Sequence, residues 1–206
     1  MNSVIDLRAF WPETRRGVRS WYEWQAAAMR SRGEFVGRGR VAGACTEYEF
    51  WLANPPRFND DRLCLDIGGL EWVTAQAKDG WLVAKVERDL PSPVGVLRSF
   101  VDMEKYLLCL MGGVPYIGEL RAMAPGTRWY REGLSPRVRL EKKDPTLDYS
   151  DISLYVDDEV VDRGHLGEID AIRFSHPLVM TYEQVDLSFK AGLPHEWFAL
   201  DVSVIE

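Results

Sequence analysis

Residues 155–168 read YVDDEVVDRGHLGE, with carboxylates at Asp157, Asp158, Glu159 and Asp162 followed by a Gly-His-Leu-Gly-Glu turn. Acids at this density suit three kinds of chemistry: a calcium-type metal loop, a carboxylate pair working as general acid and base, or a surface that attracts a basic partner. Asp157 to Glu168 spans twelve residues with an acid at each end, as an EF-hand loop does. Glu159 stands at a ligating position, but position five is Val161, and the sharp turn at position six falls on Asp162 where that loop needs glycine. The flanks also read as strands where helices are required. His165 and Glu168 supply too few ligands for a transition metal, so no metal is expected. Acid–base work needs two carboxyl groups whose environments push their pKa values apart, usually by burying one. Acids packed into one turn are expected to be solvated instead.

The remaining reactive side chains do not assemble into a recognisable site. His176 precedes Pro177 at the end of an apolar run, His195 follows Pro194 in a loop, and neither has a serine or cysteine in a nucleophile context. The segment GRGRVAG at 37–43 imitates a phosphate-binding glycine loop, yet it follows a helix where a strand is required, and its third glycine is misplaced. Arg15, Arg16 and Arg19 beside Trp21 and Trp24 suggest nucleic acid, but the chain carries a net charge of -7 and the tryptophans share their helix with a core stripe. A solvated charged face over buried aromatics is the expectation there. Cys45, Cys64 and Cys109 are odd in number and far apart, which predicts buried free thiols. Thus no catalytic residue, no cofactor and no nucleic-acid partner is expected. What survives for Asp157, Asp158, Glu159 and Asp162 is an electrostatic recognition surface for a protein partner, against the plainer reading that these acids keep the protein soluble.

The charge layout is uneven. Between Asp144 and Asp170 nine acids face one base, Arg163, which leaves everything else at about +1 of the total of -7, and the first forty residues hold eight arginines against four acids. At 206 residues with 46% apolar composition and eight tryptophans, the chain can bury a sizeable core, and a single α+β domain over 1–206 is expected. No run approaches the roughly 18 apolar residues of a membrane span. The start MNSVIDLRAFWPETRR lacks the apolar stretch and cleavage site of a signal peptide. A cytoplasmic location with no membrane contact follows as the expectation.

The elements that must position these residues are legible from periodicity. From about Glu13 to Arg32, Val18, Trp21, Tyr22, Ala26 and Met29 follow one helix face, with Gly33 as the stop. Ser99 and Asp102 have capping-box spacing ahead of the stripe Phe100, Met103, Leu107, Leu110 and Met111, and Gly112-Gly113 ends that second helix. Between the two helices LCLDI, LEWVTA and GWLVAKVE alternate with period two, separated by Gly-Gly and Lys-Asp-Gly, which predicts an antiparallel meander. Further alternating runs are ISLYV at 152–156, IDAIRF near 169, VDLSFK at 185–190 and FALDVSV at 198–204. The last two predict a C-terminal hairpin over roughly 185–204. The fold class expected is α+β, a mostly antiparallel twisted sheet with two or more helices packed on it.

The stretch DGWLVAKVERDLPSPVGVLRSFVDMEKYLLCLMGG, residues 79–113, resembles part of the polymorphic-toxin immunity proteins of actinobacteria, in particular the group called immunity protein 61. In these an aromatic strand leads through a loop to a helix of the form Asp-x-Glu-Lys-Tyr-Leu ending at glycine, matched here by Asp102, Glu104, Lys105, Tyr106, Leu107 and Gly112. The resemblance implies a cytoplasmic inhibitor that binds a cognate toxin one to one and blocks its active site. The matched residues read as structural, so no binding residue is carried over. The alternative is a small enzyme or ligand-binding module with a site of another kind.

Overall fold

The alternating runs between the first two helices pair as strands. The computed structural model describes residues 4–32, 47–88, 90–144, 146 and 151–206. In chain order its elements are β1 (Val4–Asp6), α1 (Arg15–Arg32), α2 (Glu47–Ala53), β2 (Arg57–Asn59), β3 (Arg62–Ile67), β4 (Leu70–Ala77), β5 (Gly80–Glu87) and β6 (Leu90–Leu97). Then come α3 (Phe100–Gly113), α4 (Pro125–Glu132), β7 (Val138–Lys142), β8 (Ile152–Val156), β9 (Gly164–Leu166), α5 (Glu168–Leu178), α6 (Tyr182–Lys190) and β10 (Ser203–Ile205). Gly33, the segment 37–43, Cys45 and Asp148 lie outside the described residues.

The sheet runs β2-β3-β4-β5-β6-β9-β8-β7, with every neighbouring pair antiparallel. Gly68 and Gly69 join β3 to β4 with φ of 65° and 83°, a pair of left-handed positions that a two-residue hairpin turn needs and glycine takes without a Cβ clash. Strand β6 has no alternating signature, because Pro91, Pro93 and Gly95 stand where β-formers are usual. It pairs with β5 through a bulge that leaves Val94 as the extra residue, Val83 opposing Gly95 and Ala84 opposing Pro93. On its other side β9 reaches only Gly95–Leu97, so the prolines sit along an edge, where a missing donor breaks no ladder. Strands β1 and β10 form a separate parallel pair that ties residues 4–6 to 203–205.

The helical layer rests on the sheet, α3 over β5 and β6 and α5 over β7 to β9, with α1 and α6 packed against α3. Ser99 caps α3 by accepting a hydrogen bond from the Asp102 N–H at 3.0 Å. The stripe expected for this helix is buried at Met103, Leu107 and Met111, while Phe100 and Leu110 are half-buried. Burial in fact runs without a break from Asp102 to Leu108, including the ionisable residues Asp102, Glu104 and Lys105. The helix ends at Gly112-Gly113 as expected, and at Gly112 a Cβ would meet the Phe189 ring at 2.6 Å, so this glycine also lets α6 cross close to α3. The first helix is buried as predicted at Val18, Trp21, Tyr22, Ala26 and Met29, and also at Trp24.

Two of the expected strands and the expected C-terminal hairpin are corrected. IDAIRF belongs to α5, whose inward residues Ala171, Phe174 and Leu178 recur at helical spacing, with Pro177 in the last turn. VDLSFK belongs to α6, where Tyr182, Val185 and Phe189 are buried while Leu187 is 65% exposed, a period near 3.6 that a short window mistook for two. A capping box of Thr181 and Gln184 starts this helix. Of FALDVSV only the end is strand: His195–Phe198 is a 3-10 turn, and β10 pairs with β1 rather than with residues 185–190.

Candidate functional site

The acidic segment forms the loop of a hairpin, because β8 and β9 pair on either side of it. Asp157 opens the loop in a left-handed conformation, φ 49°, and its N–H donates to the Arg137 carbonyl at 2.7 Å. The Arg137 guanidinium donates back to both Asp157 carboxylate oxygens at 3.0 and 2.6 Å. At the other end Arg98, from the turn between β6 and α3, grips Asp162 through both oxygens at 2.9 and 2.8 Å. Arg163 then anchors the loop to the interior, reaching the fully buried Asp102 at 3.0 and 2.8 Å and Glu159 at 3.3 Å. Forked guanidinium–carboxylate pairs fix geometry as well as charge.

These pairs set the protonation of the loop. Arg137 holds the Asp157 carboxyl below its ordinary value. Burial pushes Asp162 up, but Arg98, the Gly164 N–H and the His165 charge outweigh it and leave that carboxyl lowered. Three of the four expected recognition acids are therefore matched by arginines, Asp157 and Asp162 by Arg137 and Arg98 from elsewhere in the chain and Glu159 by Arg163 of the loop itself, and Asp158 is exposed without an ion pair among the described residues. Between the acids the loop presents two apolar side chains, Val160 at 92% exposure and Val161 at 62%. These valines carry no motif in the sequence. The available signal was their position, two apolar residues at the centre of a polar turn.

The other candidates take structural places. Nε2 of His165 lies 3.5 Å from Asp151, and burial with Lys143 nearby keeps its pKa low. His176 contacts the Gly133 carbonyl at 2.9 Å and stacks on Trp129. Arg15 donates to the Phe10 carbonyl, Arg16 pairs with Glu104 and Glu183, and Arg19 pairs with Glu23 and Glu206, while Trp21 and Trp24 are buried. Cys64 is a buried free thiol and Cys109 a half-buried one. Among the described residues no three His, Cys, Asp or Glu side chains gather in a metal-binding arrangement, and no helix is long and apolar enough to cross a membrane.

The Asp-x-Glu-Lys-Tyr-Leu segment lies directly behind the loop. Asp102 joins Arg163 to Lys105, whose Nζ stands 2.8 Å from the carboxylate and donates to the Leu178 and Met180 carbonyls at 2.8 and 3.2 Å. Those carbonyls belong to the end of α5 and the turn after it, so the lysine ties α3 to both. Glu104, raised by burial and pulled back by Arg16, ties α3 to α1. Tyr106 meets Phe174 edge to face at 5.3 Å. The segment fastens the helical layer and, through Arg163, the loop.

No protein-family model and no curated protein matches the chain. Among solved structures, Rv3902c from M. tuberculosis is similar, with a TM-score of 0.50 and 16% sequence identity over 75% of this chain and 92% of that one. At such identity the likeness is one of fold alone.

Proposed function

We propose that the chain is an immunity-type inhibitor that binds a cognate toxin domain one to one in the cytoplasm, blocks its active site and has no catalytic role of its own. The observation that carries the docking surface is a loop fastened at both ends by arginines yet tipped by two bare valines. A loop already held in shape loses little conformational freedom on binding. Val160 and Val161 supply an apolar centre, and Asp158 and Glu159 a polar rim facing a basic partner. Asp157 and Asp162 act by holding the shape. The resemblance of residues 79–113 to toxin immunity proteins supports the identity of the partner class.

The test takes candidate toxin domains encoded by genes adjacent to the one for this chain and assays each, purified, with and without equimolar protein. Inhibition by the wild type is expected. The double substitution Val160→Asp and Val161→Asp should restore toxin activity while leaving the melting temperature unchanged. No inhibition by the wild type removes the immunity reading, and full inhibition by the double variant removes the loop as the docking surface.

A further inference from the structure

Helices α3, α4, α5 and α6 line a pocket of about 230 Å³ that opens to solvent. An apolar cavity of roughly 150 Å³ holds benzene, and drug-sized ligands occupy roughly 300–1,000 Å³. This pocket is therefore sized for one substituted ring. Leu110, Trp129, Phe174 and Phe189 line it, aromatic walls suited to edge and face contacts with such a ring.

Tyr106 and Asp170 are the buried and half-buried polar groups at the inner side of the α3–α5 wall whose bonding matters most. Tyr106 is 3% exposed, and its hydroxyl makes no full hydrogen bond among the described residues. Asp170, in the first turn of α5, faces that hydroxyl as a weak hydrogen-bond partner, near enough for each group to shift the other although the geometry of a full bond is not met. Burial pushes the Asp170 carboxyl up, with Arg173 and Tyr106 pulling against it. Buried hydroxyls are nearly always satisfied, and one left open beside a half-buried acid is matched by a ligand that bonds to both.

Cations complete the lining. Arg121 is exposed and makes no ion pair among the described residues, and Arg173, also exposed, lies over the Tyr130 ring at 5.2 Å. The first turn of α4 contributes Gly126 and Thr127 to the lining; Pro125 has no N–H and the Thr127 N–H donates to the Ala124 carbonyl at 2.9 Å, so the Thr127 hydroxyl is the polar group this turn offers beside Arg121.

We propose that this pocket binds a small aromatic carboxylate, its ring between Trp129 and the two phenylalanines, its carboxylate held by Arg121 beside the Thr127 hydroxyl, and a ring hydroxyl or amine bonded to Tyr106 and Asp170. The site uses none of the loop residues assigned to partner docking, so the two readings stand or fall separately.

Titration calorimetry on the full chain tests this with three probes: 4-hydroxybenzoate, benzoate and phenol. 4-Hydroxybenzoate should bind with a Kd below about 1 mM, and omission of either the carboxylate or the hydroxyl should weaken binding about tenfold. Arg121→Gln, at an exposed position, should bring 4-hydroxybenzoate down to the level of phenol. Tyr106→Phe should bring it to the level of benzoate and leave benzoate itself unchanged. If the buried Tyr106 variant does not fold, the Arg121 variant decides. Failure of all three probes to bind below about 1 mM, or binding of 4-hydroxybenzoate that Arg121→Gln leaves untouched, overturns the proposal.

Discussion

Arg137 and Arg98 meet Asp157 and Asp162 from separate places in the chain, and Arg163, within the loop, reaches the buried Asp102 of α3. The partner of Asp157 lies 20 positions away, that of Asp162 lies 64 away, and the buried partner of Arg163 lies 61 away. A charge count along the sequence weighs neighbours and cannot register such pairs, so the segment looks like a bare acidic patch when it is an ion-paired loop. The lowered pKa values of Asp157 and Asp162 turn this into a pH dependence. A carboxyl whose folded pKa lies below its unfolded value contributes stability that is present above the unfolded value, here 3.8, and is lost as pH falls through the folded one. The double variant Arg98→Gln, Arg137→Gln should therefore melt below the wild type at about pH 7, and the gap should narrow as the pH drops below about 4. Melting curves across that range check it, and a gap that stays constant down to about pH 2.5 would show that the pairs contribute nothing to stability.

At the scale of elements, the meander β3 to β5 and the helices α1 and α3 were legible because each repeats its period over several turns or strands and ends in glycine or a cap. Two kinds of element were not. Strand β6 is hidden by its prolines, which its edge position tolerates. Helix α6 is hidden by its shortness: over six residues, Val185, Leu187 and Phe189 satisfy a period of two as well as Val185 and Phe189 satisfy a helix. Only the flanking Tyr182 and the Thr181–Gln184 capping box separate the two readings. Their energetic signatures differ sharply. A strand face would bury all three apolar residues, whereas the helix buries Phe189 at 1% exposure and leaves Leu187 outside. Phe189→Ala should cost about 3–5 kcal/mol, while Leu187→Ala should fall within about 0.5 kcal/mol. Chemical denaturation of both variants decides this, and comparable losses at the two positions would put the hairpin back.

For the molecule as a whole, the charged residues of α3 join the layers: Glu104 reaches α1, Lys105 the end of α5, and Asp102 the hairpin loop through Arg163. The docking surface proposed here is thus an extension of the core rather than a mobile appendage, and this changes what its acids are expected to do. The net charge of -7 belongs to the molecule, and attraction of a basic partner over about 10 Å at 0.1 M salt draws on all of it. Asp158, the one loop acid without an ion pair among the described residues, should add only a small share, so Asp158→Asn should slow association slightly and leave dissociation unchanged. Asp157 and Asp162 hold the loop shape, so Asp157→Asn with Asp162→Asn should release the tip and speed dissociation of the complex, because Val160 and Val161 must then be ordered at the moment of binding. Association and dissociation rates against the purified partner at low and high salt separate the two roles. If the Asp157 and Asp162 variant instead slows association at low salt, recovers at high salt and dissociates like the wild type, these acids act through long-range attraction and not through the shape of the loop.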